Sequence, residues 1–373
     1  MTVYLDHAAT TPLRPEALEA MLPFLTEHFG NPSGSHAVSR AARTAVDEAR
    51  DVVAECLGCQ PGEVIFTGTG TEADNLAIAG VVARRAGRVV CTAIEHHAVL
   101  HTVQALRGDV VPVHPTGRVD LDALAAALGP DVSVVSVMLA NNEIGVIQSL
   151  AEVTAVVVEH APEAVVHTDA VQAFPWLDVA TAAAGADLVA VSAHKFGGPK
   201  GVGALVARRG VRLAPILHGG GQERDRRSGT HNVAGIVGMA AAMRASVAER
   251  ELSVARVGAR RDRLADALVA ALPGTVETGD RAEKVAGSCH LRFGGIESEA
   301  LLVLLDDAGV CASAGSACAS GAMEPSHVLA AIGVGRAEAR SSVRFSLGAT
   351  TTDDEVDLAV KVVAEAVAHL REG

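Results

Sequence analysis

The chain has 373 residues, 49% of them hydrophobic, 20% charged and 2% aromatic. That length buries a substantial core in one large or two modest domains, and the composition excludes disorder and collagen-like repetition. A net charge of -13, with no basic cluster longer than Arg226-Arg227 or Arg260-Arg261, excludes an electrostatic role on nucleic acid or membrane surfaces, and aromatics are too few to stack single strands.

The opening MTVYLDHAATTP lacks a basic n-region and an apolar run, so no signal peptide is expected. No stretch approaches the roughly 18 apolar residues of a membrane span. Six cysteines, at positions 56, 59, 91, 289, 311 and 318, form no disulfide framework for a chain of this size. A reducing cytoplasm is the expected setting.

Residues 63–67 read as a strand and 71–82 as a helix. Apolar runs at 89–93, 132–139, 164–168, 188–192 and 203–207 read as further strands, with helical patterns between most of them, as at 121–128 and 149–160. Strand–helix alternation with fully apolar strands predicts an α/β protein whose mainly parallel sheet is covered on both faces. From about residue 233 the texture changes. Two long alanine- and arginine-rich helical patterns, 234–251 and 252–271, precede short strands at 288–293, 310–312 and 342–346. A last helix spans 353–370, with Asp353, Asp354 and Glu355 in its first turn. Residues after about 250 read as a smaller α+β domain.

Ligands of open parallel sheets bind at the carboxyl ends of strands, so the residues just after each strand carry the functional reading. GTGTEADN (68–75) follows the first strand; its Gly68-x-Gly70-x-x-Ala73 spacing fits an anion cradle at a helix start or a dinucleotide turn, with Glu95 beyond the next strand. Glu95-His96-His97 follows the second. Adjacent histidines point apart and chelate poorly, so the pair either caps a helix or contributes one ring to a site. Asn141 and Asn142 follow the next strand, either capping a turn or donating to a ligand oxygen. Asp169 ends a buried strand, where an acid needs a cation or several donors, and Gln172 follows it. Lys195, one of only four lysines, closes the strand after that in SAHKFGGPKGVG (192–203). No Gly-Lys-Ser/Thr opens a helix there, which excludes a P-loop. A strand-end lysine, a buried acid, an anion turn and a histidine describe a site for pyridoxal phosphate, with Lys195 as the Schiff-base lysine. A nicotinamide needs neither the acid nor the lysine.

The motifs YLDHAATTP, GNPSGSH, GTGTEADNLAI, EHHAVL, NNEIGVIQ, HTDAVQAF, SAHKFGGPKGVGAL, HGGGQERDRRSGT, GSACASGAMEPSHVL and VRFSLG occur in this order from Tyr4 to Gly348. In them the chain resembles the cysteine desulfurases of the NifS/IscS-like group, class V aminotransferase-fold enzymes. The resemblance implies the pyridoxal-phosphate-dependent transferase fold type I: a large cofactor-binding domain over residues 15–250, and a small domain made of 1–14 and 251–373. It implies conversion of L-cysteine to L-alanine with the sulfur left as a persulfide on Cys318. Lys195 would hold the cofactor and Asp169 its ring nitrogen. Gln172 and Asn142 would bond the ring hydroxyl, and His96 would stack on the ring and assist proton transfers. Gly70, Thr71, Ser192 and His194 would hold the phosphate, with Thr230 reaching in from a second subunit of a homodimer. Arg344, helped by Asn31 and near Asn142, would bind the substrate carboxylate; bidentate arginine suits that task. No metal is expected.

Cys318 lies in a stretch of alanine, glycine and serine that cannot pack tightly, which suits a thiol that must reach both substrate and acceptor. Cys311, at a strand end, reads as a small buried hydrophobe. Cys56-x-x-Cys59 closes a helix before Pro61-Gly62, has no second cysteine pair nearby and lies outside every family motif. Two details depart from the family: alanine stands where glycine usually precedes His194, and no long tail for engaging an iron–sulfur scaffold follows the last helix. The sulfur acceptor therefore stays open among iron–sulfur assembly, thiolation of tRNA and other biosynthetic or DNA-modification pathways. The competing readings are a selenocysteine lyase or another β-eliminating lyase of this fold, and a catalytically idle sulfur-transfer scaffold.

Overall fold

A computed structural model describes residues 2–314 and 326–372. Its strands are β1 (Val3–Tyr4), β2 (Val64–Thr67), β3 (Arg88–Thr92), β4 (Asp109–Val111), β5 (Val132–Ser136), β6 (Val165–Asp169), β7 (Leu188–Ser192), β8 (Gly203–Ala207), β9 (Thr275–Glu277), β10 (Ser288–Phe293), β11 (Val310–Cys311) and β12 (Ser342–Ser346). Seven of them form one sheet in the order β2-β8-β7-β6-β5-β3-β4. Only β8 runs antiparallel to its neighbours in that sheet. The fold is thus the expected α/β arrangement, a mainly parallel mixed sheet between helices.

Strand alternation divides the sheet's side chains between two cores. Val90, Val135, Val166, Val189, Val191 and Val206 face one layer, with Val46 and Val53 of the helix Ala37–Leu57 and Met239. Val89, Cys91, Val134, Leu188, Ala190 and Leu205 face the other, under Leu76 and Ile78 of the helix Gly70–Arg84. Both faces are dry, which is why these strands read as unbroken apolar runs.

A separate core gathers distant parts of the chain. Val3 and Leu5 pack with Phe293 of β10, Phe345 of β12, and Val356 and Val363 of the final helix Asp353–Glu372. β12, β10 and β9 form an antiparallel sheet there, and β1 pairs in parallel with β11.

The two helical patterns expected at 234–251 and 252–271 are one helix, Val233–Ala271. No glycine or proline interrupts the junction, so nothing there breaks the backbone hydrogen-bond ladder. What changes is the partner: Ile236, Met239 and Met243 bury in the core of the large sheet, whereas Val257, Leu264 and Leu268 bury in the other. The sequence texture records that handover. No helix among the described residues is long and apolar enough to cross a membrane.

Candidate active site

β2, β3, β5, β6 and β7 run parallel, so their carboxyl ends open on one edge of the sheet. A cavity of about 480 Å³ lies there, lined among others by Gly70, Thr71, Asp74, His96, Asn142, Asp169, Gln172, Ser192, His194, Lys195 and Arg344. A second, of about 250 Å³, shares Ala8, Asn142, Gln172 and Lys195 with it and extends toward Trp176 and Glu249.

Lys195 ends a single 3-10 turn directly after β7. Its Nζ donates to the carbonyls of Ala8 at 2.5 Å and Ala9 at 3.0 Å. Burial, with the Arg344 charge adding to it, pushes the amine down to about 8. Gln172 Nε2 donates to the same Ala8 carbonyl at 2.7 Å. The N-terminal segment is itself tied to the strand end, Thr11 N and Oγ1 donating to the His194 carbonyl at 3.0 and 2.9 Å.

Asp169 is the last residue of β6 and is buried, its Oδ1 accepting from Val171 N at 2.8 Å. Burial raises its pKa, while His96, the Val171 amide and Lys195 pull it back. His96 performs both tasks that the sequence left open. It caps the helix His97–Ala105, its Nδ1 accepting from Ala98 N at 3.1 Å, and it lines the cavity. His96 keeps exposed surface, yet crowding by protein around the ring lowers its pKa and favours the neutral form, and an accepting Nδ1 puts that form's proton on Nε2.

The helix Gly70–Arg84 begins at the cavity edge, with Thr69 as its cap. A Cβ on Gly70 would meet Val171 Cγ2 at 3.0 Å and Ser192 Cβ at 3.2 Å, so glycine lets this helix start sit against the end of β7. Its unpaired amides and positive dipole suit a phosphate. The dinucleotide reading fails at Glu95: its Oε1 is occupied by Thr92 Oγ1 at 2.6 Å and Met138 N at 2.9 Å, and the residue is fully buried. His194 stands beside the helix start; burial and two nearby lysines push its ring down to about 4.

Arg344 projects from β12 and is buried. One NH2 hydrogen goes to Asp6 Oδ1 at 2.7 Å and one NH1 hydrogen to the Asn142 carbonyl at 2.9 Å; the buried Nε has no partner. Of the two asparagines, Asn141 shapes the turn: its side chain accepts from Glu143 N and Ile144 N and donates to Ile94 O. Asn142 lines the cavity.

Asn31 and Thr230 are exposed and do not line the cavity of this single chain. Cys318 lies outside the described residues. Ser313 and His327, on either side of it in sequence, both line the cavity. Cys56 and Cys59 belong to no group of three or more potential metal ligands among the described residues. Sequence reading did not single out Asp6, Asp74, His167 or the Ala8 and Ala9 carbonyls. Asp74 carried a usable signal, being an acid on a helix otherwise rich in apolar residues.

An amine at a strand end, an acid at the next strand and a helix start for a phosphate fit pyridoxal 5′-phosphate group by group, and a family model for "Aminotransferase class-V" matches residues 3–359. The chain belongs to the class V aminotransferases. Family members depend on pyridoxal phosphate. An IscS-like cysteine desulfurase of Mycobacterium tuberculosis is 47% identical over 99% of this chain and 97% of its own. A solved NifS-like protein superimposes with a TM-score of 0.93 at 36% identity, covering 99% of this chain and all of that one. The structure of SspA in complex with cysteine gives a TM-score of 0.80 at 31% identity, over 94% of this chain and 100% of that one. In this class V aminotransferase the strand ends of the large sheet thus present Lys195, Asp169 and the start of the helix Gly70–Arg84 to one space.

Proposed function

We propose that the chain is a pyridoxal-phosphate-dependent cysteine desulfurase that turns L-cysteine into L-alanine and takes the sulfur as a persulfide. The observation that carries this reading is the single cavity shared by Lys195, Asp169, His96 and Arg344. When bound, the cofactor offers a carbonyl for the substrate amine and a protonated ring that draws electrons from the bonds at Cα and Cβ.

The chain's own groups do the rest. Lys195, depressed toward a free amine, would hold the cofactor and yield it to the substrate amine. Asp169 would keep the ring nitrogen protonated, Gln172 and Asn142 would bond the ring hydroxyl, and Gly70, Thr71, Ser192 and His194 would hold the phosphate. Arg344, steadied by Asp6, has its Nε–H without a partner and takes the substrate carboxylate. Lys195 and the neutral His96 move the proton at Cα. Cys318 then attacks the substrate sulfur: the Cβ–S bond breaks, an S–S bond forms on Cys318, and Cβ gains a proton to give alanine.

The described cysteines support Cys318 by exclusion. None of the five lines the cavity, and burial pushes every one of their thiols up, Cys59 to about 11 and Cys289 to about 12. The exposed Thr230 supports a homodimer in which each chain completes the other's phosphate seat, with Asn31 joining the substrate pocket. A separate acceptor protein, in a reducing cytoplasm, would discharge the persulfide.

Purified protein supplied with pyridoxal phosphate should be yellow and form one alanine per sulfur released from L-cysteine. Lys195→Ala should abolish turnover. Turnover surviving in Lys195→Ala, or a stable active monomer in sedimentation, would contradict the corresponding part of the reading.

A further inference from the structure

Two buried carboxyl groups, Asp74 and Asp169, line one end of the cavity, a third, Glu95, acts on both from behind, and the proposed reaction uses only Asp169 of the three. Asp169 ends β6, Glu95 follows β3, and Asp74 lies one turn into the helix Gly70–Arg84; all three are buried. Glu95 has one oxygen satisfied, Oε1 by Thr92 and Met138, while its buried Oε2 has no partner, and it does not line the cavity. Asp74 does. Its buried Oδ1 has no hydrogen-bond partner and lies 3.4 Å from Nε2 of His167, which is buried and equally unpartnered. The other nitrogen of that ring, Nδ1, sits 2.8 Å from Ser136 Oγ. An oxygen of Asp74, one of Asp169 and a ring nitrogen of His96 all lie within 4.8 Å of one another.

Two carboxylates this close in a buried site do not both stay ionised. Asp169 is the better placed to hold the charge, with the Val171 amide bonded to it and Lys195 and His96 acting on it favourably. Asp74 faces Asp169, Glu95, His96 and His167, with no lysine or arginine among them. Burial, then Asp169 and Glu95, push its carboxyl well above the ordinary range. Burial also pushes His167 down to about 3, so that ring is neutral. A neutral His167 that donates from Nδ1 to Ser136 leaves Nε2 as an acceptor, facing the Asp74 oxygen.

We propose that Asp74 is a positioning residue that stays protonated, turns its acid proton toward His167, and so leaves Asp169 as the single negative charge beneath the cofactor ring. An ionised Asp74 would drive a proton onto Asp169 and remove the charge that holds the ring nitrogen protonated. The inference rests on Asp169 as the ring-nitrogen partner.

Holoenzyme carrying aspartate labelled with carbon-13 at the side-chain carboxyl tests it. At pH 8 one aspartate should keep the chemical shift of a protonated acid, and that signal should vanish in Asp74→Asn. Asp74→Asn replaces a neutral acid by a neutral amide, so the pH midpoint of the bound cofactor's visible band should stay within about 0.3 units of wild type. His167→Phe leaves the acid proton no acceptor but Asp169, and should move that midpoint by about half a unit or more. No protonated-aspartate signal, a signal that vanishes in Asp169→Asn instead, a shift of about one unit in Asp74→Asn, or none in His167→Phe would each overturn the inference. A visible-band midpoint and cofactor affinity left unchanged by Asp169→Asn would overturn the ring-nitrogen reading, whatever Asp74 carries.

Discussion

Lys195 meets the cavity with an amine already far from an ordinary lysine. Its burial and the Arg344 charge favour the neutral form, and the carbonyls that hold it are equally able to accept from an amine. Labelling of the cofactor-free protein by an acylating reagent, read at the Lys195 peptide, should therefore rise with pH to half its maximum near 8. A midpoint near that of a free lysine, about 10.4, would show that the amine is not desolvated. Asp6 offers a second test at this scale. It fixes one edge of the Arg344 guanidinium, so Asp6→Asn should raise KM for L-cysteine about tenfold with kcat within about threefold, and Asp6→Glu should recover part of the loss. An unchanged KM would remove Asp6 from the substrate pocket. Lys195 and Asp169 were legible in the sequence because each is chemically out of place, a rare lysine among glycines and an acid ending an apolar strand. The carbonyls of Ala8 and Ala9 were not: backbone groups leave no trace in residue identity. The Asp6–Arg344 pair joins residues 338 positions apart, a separation no local pattern reports.

Elements were read most securely where burial imposes a pattern. β7 and β8 have the bounds their runs gave, since a dry strand carries almost no polar residue to blur its ends, and β12 keeps its expected bounds although Ser342, Arg344 and Ser346 are polar. The long helix was misjudged because its two halves bury against different cores, so the apolar stripe changes course while the backbone continues. Leu252 lies in that stretch and is 74% exposed, so its side chain contributes little. Leu252→Pro should nonetheless cost about 3 kcal/mol by removing an internal hydrogen bond and crowding the preceding turn. For a chain of this length that lowers the melting temperature by about 4 °C if unfolding is two-state. Leu252→Ala should stay within about 0.5 kcal/mol of wild type. A proline variant as stable as wild type would indicate a break in the helix at that point.

At the scale of the molecule, the cavity is assembled from both cores. The large sheet and the segments that follow its strands supply Gly70, Asp169 and Lys195, while Arg344 comes from β12, a strand of the smaller antiparallel sheet. The sequence disclosed the two groups of elements but not their junction, because the first residues of the chain pack with its last helix. It also named two residues, Asn31 and Thr230, that a single chain leaves outside the cavity, and a sulfur acceptor whose neighbours in sequence, Ser313 and His327, line it. The central claim is that cofactor chemistry at Lys195 hands sulfur to Cys318 and to no other thiol. It is tested most directly by exposing the holoenzyme briefly to L-cysteine, alkylating it, and mapping the added sulfur by peptide mass spectrometry. The extra sulfur should sit on the Cys318 peptide in step with alanine formed, and Cys318→Ala should stay yellow, still bind cysteine, and lose nearly all alanine production. Sulfur on Cys311, Cys56 or Cys59, or full desulfurase activity in Cys318→Ala, would contradict it.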